Sequence, residues 1–354
     1  MDRALLLAAR GRGRTSPNPL VGAVVVADDG VIVGQGFHRR AGEPHAEVLA
    51  LEAAGPRARG AMLYCTLEPC CHVGRTGPCV TRIVEAGIRR VVAAIEDPNP
   101  LVHGKGFEYL RARDVEVEVG LGAPAALALN QPFLTLMREH RPFVILKAAT
   151  SLDGYISEAP GRRTALTSAA ARGHAHRLRA EVDAIGVGSG TILADDPRLT
   201  ARGAFRERPL IRVIFDRRLR TPARAAVLST RSLGPVIIIT SAASAQNEAL
   251  RRPLEERGAE VDAASGDTFR AALDCLAVRQ VESMLLEGGA ALHAAAWDEG
   301  VVDAMQLYVT PRVIGPGGVA FLDGRAFRSA DLIDRRVEPL GPDVLIEGYV
   351  HGPR

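Results

Sequence analysis

Over the first 120 residues, apolar positions switch repeatedly between a two-residue period and a 3.6-residue period. Residues 21–27 and 31–37 alternate as strands and are separated by Asp28-Asp29-Gly30, a turn sequence that predicts a hairpin. The pattern then predicts a helix over 46–54, a strand over 61–66, and a helix over 80–86 that Gly87 stops. A strand over 90–95, a helix over 106–113 and a strand over 115–119 follow. Such alternation implies helices covering a mixed sheet in an α/β sandwich.

A helical stretch over 123–138 ends at Glu139-His140-Arg141-Pro142, and a new strand run starts at 143–150. Further strands are expected at 184–187, 211–215, 236–240, 284–287 and 305–309, with helical spacers between them. A domain boundary near residue 141 follows, giving two α/β domains over 1–140 and 141–354. A chain of 354 residues is long enough for both.

Composition narrows the class. Hydrophobic residues are 47% and charged residues 24%, close to globular averages, which excludes disordered and collagen-like chains. No apolar run reaches the length of a membrane span. The apolar stretch over 4–9 is too short for a signal-peptide core, so a cytoplasmic protein is expected. A net charge of +3 and 4% aromatics disfavour a nucleic-acid binder and suit a charged small-molecule substrate.

The five cysteines are odd in number and argue against a disulfide framework. Four of them, Cys65, Cys70, Cys71 and Cys79, cluster, and Cys275 stands apart. Pro44-His45-Ala46-Glu47 opens a helix, Glu68-Pro69-Cys70 follows a strand, and Pro78-Cys79 opens the next helix. One imidazole and two thiolates suit a single zinc ion and leave a fourth position open, as in a catalytic site. Helix N-termini at His45 and Cys79 favour thiolate there. Glu47 is badly placed as a fourth ligand and well placed as a proton shuttle. Cys71 could ligate in place of Cys70, whereas Cys65 and Cys275 are expected to be structural. Singly, His45 could be a loop histidine and Glu47 a solvated helix residue; the three spaced elements together favour the metal site. This His-x-Glu…Pro-Cys order is similar to that of zinc nucleobase deaminases, although eight residues rather than two separate Cys70 from Cys79.

Three longer stretches carry a more specific resemblance. They are Thr15-Ser16-Pro17-Asn18-Pro19-Leu20-Val21-Gly22, Ala41-Gly42-Glu43-Pro44-His45-Ala46-Glu47-Val48, and the run from Thr66 through Cys79. With Glu96-Asp97-Pro98-Asn99-Pro100, they closely resemble the bifunctional deaminase–reductases of riboflavin biosynthesis. The resemblance implies a cytidine-deaminase-like three-layer α/β/α domain acting on 2,5-diamino-6-(5-phosphoribosylamino)pyrimidin-4(3H)-one. It also implies that Asn18, His38, His72 and Arg75 hold the substrate around zinc. An amide can read a pyrimidine edge and an arginine can pair with phosphate. Asn18 could equally cap a turn, and Arg75 could be a surface charge.

The second half resembles the reductase partner, with a dihydrofolate-reductase-like α/β fold. The resemblance rests on 146–154, on Gly188-Ser189-Gly190-Thr191-Ile192-Leu193-Ala194-Asp195-Asp196-Pro197, and on Leu286-Glu287-Gly288-Gly289. The glycine run at 186–190 is not a Rossmann fingerprint. Glu287-Gly288-Gly289 after an apolar strand offers free N–H groups to a dinucleotide phosphate. By resemblance, NADPH would lie against Ala149, Thr191, Asp195, Gly289, Ala290, Ala291, Leu292 and His293. Substrate would contact Arg179, Leu199, Arg202 and Glu287, the arginines being natural phosphate partners but equally plausible as ordinary helix and loop arginines. Hydride transfer to C1′ of the ring-opened ribosyl group would give the ribityl chain.

One stretch departs from the family pattern. Where a serine and a tryptophan are usual, this chain has Arg163 and Ala165 within Gly161-Arg162-Arg163-Thr164-Ala165-Leu166-Thr167. Losing tryptophan removes a flat contact surface, and Arg162 and Arg163 are instead available to the NADPH 2′-phosphate. The departure keeps open a deaminase with an impaired or repurposed reductase domain. A nucleic-acid deaminase and a non-enzymatic zinc-stabilised binding protein compete with these readings, but Glu47 would have no use in a binding protein. The resemblance also suggests a homo-oligomer acting on a small phosphorylated pyrimidine, without nucleic acid or membrane.

Overall fold

Along β1 (Gly22–Val26), Ala23 and Val25 face one core, while Val24 faces Ala4 and Leu7 of helix α1 (Asp2–Ala8). This two-residue alternation places helices on both faces of the sheet. The computed structural model describes residues 1–72 and 77–352, which divide into two units, Met1–Glu139 and His140–Gly352.

The first unit has a five-stranded sheet in the order β2-β1-β3-β4-β5. Its other strands are β2 (Ile32–Phe37), β3 (Met62–Cys65), β4 (Arg90–Ala93) and β5 (Glu116–Val119). β1 runs antiparallel to β2 and β3, and β3, β4 and β5 run parallel. Helices α3 (Cys79–Glu85) and α4 (Lys105–Arg111) make the two parallel crossovers. With α2 (Ala46–Ala54) they bury Ala46, Ala50, Val80, Ile83, Phe107 and Leu110 in one core. The buried Phe133 and Leu134 belong to α5 (Ala123–Glu139). This is the expected three-layer α/β/α arrangement.

The second unit is built on a nine-stranded sheet in the order β11-β10-β9-β8-β12-β6-β13-β16-β15. In chain order these are β6 (Phe143–Thr150), β8 (Ala184–Gly188), β9 (Ile211–Phe215), β10 (Val236–Thr240), β11 (Glu260–Ala263), β12 (Ser283–Gly288), β13 (Ala304–Val309), β15 (Ile333–Leu340) and β16 (Asp343–Tyr349). All pairings from β11 to β13 are parallel, and β16 pairs antiparallel with β13 and β15. β7 (Tyr155–Ser157) and β14 (Val319–Ala320) form a small separate sheet. The helices are α6 (Ala169–Glu181), α7 (Ser189–Asp195), α8 (Ala242–Gln246), α9 (Glu248–Glu256), α10 (Phe269–Val278) and α11 (Ala290–Asp298). Ile237 and Ile239 of β10 pack with Leu273 and Leu276 of α10, whereas Ile238 packs with Leu254 of α9. Burial on both faces explains the unbroken apolar run of β10.

Helix 46–54 and strands 143–150, 211–215 and 236–240 fall where the periodicity puts them, and most other expected elements differ by one or two residues. Helix α1, strand β11 and the hairpin β15–β16 have no counterpart in the sequence reading.

Candidate active sites

In the first unit, His45 is the N-cap of α2, Cys79 is the first residue of α3, and Cys70 lies in the segment between β3 and α3. Their donor atoms all lie within 4.8 Å of one another. His45 Nδ1 is 3.2 Å from Cys79 Sγ and 3.4 Å from Cys70 Sγ. Tetrahedral zinc with ordinary Zn–N and Zn–S bonds needs ligand atoms about 3.6 Å apart, so the donor set fits that ion. Cys71 Sγ instead faces Leu101 O at 3.7 Å, and Cys65 is buried in the apolar core. Hydrogen bonding from Cys79, helped by His45, lowers the Cys70 thiol to about 4.

Close approach of α2 to β2 sets the height of His45. A Cβ on Gly34 would come within 2.1 Å of Ala50 O, and one on Gly36 within 2.6 Å of Ala46 O. Only glycine at these alternate positions lets the α2 backbone lie flat on the strand. Glu47, one residue into the helix, is 3% exposed, and its Oε2 has no hydrogen-bond partner among the described residues. Burial pushes its carboxyl up to about 6.

Asn18 and His38 meet beside this cluster. Asn18 Nδ2 lies 3.0 Å from His38 Nε2, His38 Nδ1 lies 3.3 Å from Pro44 O, and the His38 and His45 rings stack edge-on at 5.2 Å. A carbonyl only accepts, so His38 Nδ1 carries the proton and Nε2 accepts from the Asn18 amide. That orientation leaves Asn18 Oδ1 and one amide hydrogen for a ligand. His72 Nδ1 is buried without a partner among the described residues. Arg75 lies outside the described residues.

Glu68, next to Pro69-Cys70, is 3% exposed. Its Oε1 accepts from Gly106 N and Phe107 N at 2.9 and 3.3 Å; its Oε2 accepts from Gly104 N and Asp97 N at 3.0 and 3.2 Å. The N-cap of α4 is Gly104, which has no side chain to satisfy the first helical N–H groups, and Glu68 does so from a distant segment. Burial raises the neighbouring Asp97 carboxyl to about 7.

In the second unit, Glu287 at the end of β12 holds Arg179 of α6 bidentately, Nε–Oε1 at 2.6 Å and Nη2–Oε2 at 2.7 Å. Arg179 Nη1 also donates to Thr200 O at 2.9 Å, beside the buried Leu199. Burial would raise the Glu287 carboxyl, but Arg179 and then Lys147 overcome it and hold it down to about 2. Arg202 is exposed, and its backbone N–H donates to His176 Nδ1 at 3.3 Å.

Thr191, Gly289 and Leu292 of the expected cofactor site meet where β8 and β12 end. A Cβ on Gly288 would meet Thr191 Oγ1 at 3.0 Å, and one on Gly188 would meet Leu292 Cβ at 3.6 Å. Gly289, at φ +71, is the N-cap of α11, which begins Ala290-Ala291-Leu292-His293. His293 Nε2 lies 3.3 Å from Leu286 O, its Nδ1 is buried without a partner among the described residues, and burial lowers its pKa to about 4. Free N–H groups at this helix start, with the Thr191 hydroxyl nearby, fit the phosphates of a dinucleotide. Ala149 packs in a small cluster with Tyr308. Burial raises the Asp195 carboxyl, an effect that Arg163 opposes. In the departing stretch Arg162 pairs with Glu158 at 3.4 Å, and Ala165 O accepts from Arg312 Nη1 at 2.7 Å.

The sequence reading missed Lys147 and Tyr308. Lys147 Nζ stands 5.4 Å from the centre of the Tyr308 ring, and the Tyr308 hydroxyl is 2.8 Å from His174 Nδ1. Burial lowers the Lys147 pKa, and Glu287 opposes that shift. A single charged residue inside the strand run Phe143–Thr150 was the available signal.

Comparison with known proteins relates both units to known families. Residues 1–95 match the cytidine and deoxycytidylate deaminase zinc-binding region, and residues 142–346 match the RibD C-terminal domain. The chain is 41% identical over 348 residues to the riboflavin biosynthesis protein RibD of Aquifex aeolicus, covering 98% of this chain and 96% of that one. It is 39% identical over 362 residues to RibD of Escherichia coli, covering 98% and 97%. The solved structure of Acinetobacter baumannii RibD superposes with a TM-score of 0.86 at 37% identity, covering 98% of this chain and 96% of that one. A Thermotoga maritima structure described as a diaminohydroxyphosphoribosylaminopyrimidine deaminase/5-amino-6-(5-phosphoribosylamino)uracil reductase gives 0.83 at 35% identity, with the same coverage. The chain therefore belongs to the RibD family of riboflavin biosynthesis, enzymes that join a zinc-dependent deaminase to an NADPH-dependent reductase.

Proposed function

We propose that residues 1–140 deaminate 2,5-diamino-6-(5-phosphoribosylamino)pyrimidin-4(3H)-one, and that residues 141–354 reduce the product to 5-amino-6-(5-phosphoribitylamino)uracil. The observation that carries the first step is the convergence of His45, Cys70 and Cys79 within 4.8 Å beside the buried Glu47 Oε2, which has no partner among the described residues. His45, Cys70 and Cys79 would hold zinc, which when bound supplies the Lewis acidity that brings a water pKa toward about 7. Glu47 Oε2 takes one proton from the attacking water and delivers it to the ring nitrogen, then takes the second from the newly added hydroxyl and delivers it to the departing amine. A C–O bond replaces the C–N bond and ammonia leaves. Asn18 presents Oδ1 and one N–H to the pyrimidine edge, with His38 fixing the orientation of its amide. His72 and Arg75 complete the substrate contacts.

In the second step, NADPH lies against Ala149, Thr191, Asp195 and residues 289–293 and supplies the hydride. Arg179 and Glu287, bonded bidentately, form one wall of the substrate site, Arg179 also holds the carbonyl of Thr200 next to Leu199, and the exposed Arg202 is available to the phosphate. Lys147, beside Glu287, holds the proton that balances the incoming hydride. Five free cysteines, two of them in the metal cluster, support a reducing, cytoplasmic compartment. Among the described residues no helix is long and apolar enough to cross a membrane. A homo-oligomer is supported by the family resemblance and by β15, an edge strand that exposes Ile333 and Val337.

The test is Glu47→Gln. The variant should keep one zinc per chain and lose about 10²–10⁴-fold in ammonia release. Ammonia release at the parent rate would refute the proton-carrying role.

A further inference from the structure

The geometry points to Asn130, on α5, as a positioning residue for the deamination, acting through the backbone of Leu20 on Asn18. Asn130 is 2% exposed, and the two short hydrogen bonds of its amide go to one residue far away in sequence, with a longer one from Nδ2 to Ala126 O at 3.5 Å. Its Oδ1 accepts from Leu20 N at 2.8 Å and its Nδ2 donates to Leu20 O at 3.0 Å. Leu20 precedes β1, so neither of these backbone groups is in the β1 pairing with β2 or β3. A buried amide that satisfies both fixes the two peptide groups flanking Leu20 at once.

The hold extends to Asn18 through one residue, Pro19, whose ring fixes its own φ. Asn18 N in turn donates to Thr15 O at 2.9 Å, closing the loop from the other side. A continuous chain then runs from Asn130 to Leu20, Pro19, Asn18, His38 and Pro44, the residue before His45. Asparagine is a poor helix former and a costly core residue. Its place in the middle of α5 is explained by what it holds. The segment matched to the deaminase zinc-binding region ends at residue 95, so the deaminase site draws a determinant from a helix beyond that segment.

This inference rests on the proposed contact between Asn18 and the pyrimidine. The test compares the zinc-loaded full chain with Asn130→Leu, which keeps the number of side-chain heavy atoms and removes both hydrogen bonds to Leu20, and with Gln131→Leu, a buried neighbour on the same helix. Hydrogen exchange should accelerate at residues 15–22 in Asn130→Leu but not in Gln131→Leu. The kcat/KM for ammonia release should fall about 10- to 100-fold, mostly through KM, as expected for a misplaced substrate contact. Zinc content and turnover of the deaminated intermediate with NADPH should not change. Should Asn130→Leu fail to fold, Asn130→Asp keeps the acceptor for Leu20 N, sets an oxygen against Leu20 O, and should give a partial loss of the same kind. Unchanged exchange at 15–22, or faster exchange with unchanged kcat/KM, would overturn the assignment. Loss of zinc together with activity would reduce Asn130 to a structural residue. A parent chain that releases no ammonia would overturn the deaminase assignment itself, and this one with it.

Discussion

Replacing Glu68 by glutamine changes one oxygen into an NH2 group and should cost far more than that exchange suggests. Each carboxylate oxygen faces two backbone N–H groups: Gly106 and Phe107 on one, Gly104 and Asp97 on the other. Whichever way a glutamine amide is turned, its NH2 meets two donors and leaves both without an acceptor. A buried donor left unsatisfied costs ~1–3 kcal/mol, so two of them cost about 3 kcal/mol even after partial relaxation. For a unit of this size that corresponds to a fall of ~10 °C in Tm. The loosened start of α4 also reaches the metal cluster. A Cβ on Gly106 would stand 2.2 Å from Pro69 O, so helix and ligand segment touch through backbone immediately before Cys70. Zinc affinity should therefore fall about 10- to 100-fold, the usual effect of removing a group that supports a ligand. Calorimetry of the zinc-loaded chain, following the transition that shifts on chelation, reads the first quantity, and competition with a chelator reads the second. Glu85→Gln, on the exposed face of α3, serves as the control. A Tm and a zinc affinity that match those of the control would refute the account of Glu68 as the cap that ties α4 to the Cys70 segment.

Two further outcomes concern the reductase unit. Glu287 is held at about 2 against an ordinary value of 4.5, so its pairing contributes about 3 kcal/mol above pH ~4.5. A depressed carboxyl loses that contribution as pH falls from about 4.5 toward about 2. Glu287→Gln should flatten this acid limb of the stability curve and lower stability at neutral pH, because Arg179 is then buried without its partner; an unchanged acid limb would contradict the assignment. Lys147→Met should cut NADPH oxidation about a hundredfold or more while leaving ammonia release unchanged, and equal losses in both assays would instead indicate unfolding.

The legible parts of the molecule are those whose signal is local. β10 reads as a strand because five consecutive β-favouring residues are buried on both faces. The His45, Cys70 and Cys79 set reads as a metal site because three ligands each follow a proline, two of them at helix starts. β15 gave no signal. Its sequence Ile-Asp-Arg-Arg-Val-Glu-Pro-Leu is exposed almost throughout, and pairing with β16 rather than burial makes it a strand. Asn130 and Glu68 were invisible for a different reason: each is a polar side chain whose partners lie tens of residues away, so nothing nearby in the chain marks it as buried. Lys147 was legible in principle, as the one charge in an apolar strand, but its partner Glu287 is on β12 and is reached only through the β6–β12 pairing.

In the proposed function one chain carries out two reactions in order. Mass spectrometry of the product formed from the diaminopyrimidine ribosyl phosphate, with zinc-loaded protein and NADPH, tests this most directly. The expected product is deaminated and carries a ribityl chain. A product that is deaminated but keeps its ribosyl group would contradict the reductase assignment, and unchanged substrate would contradict both.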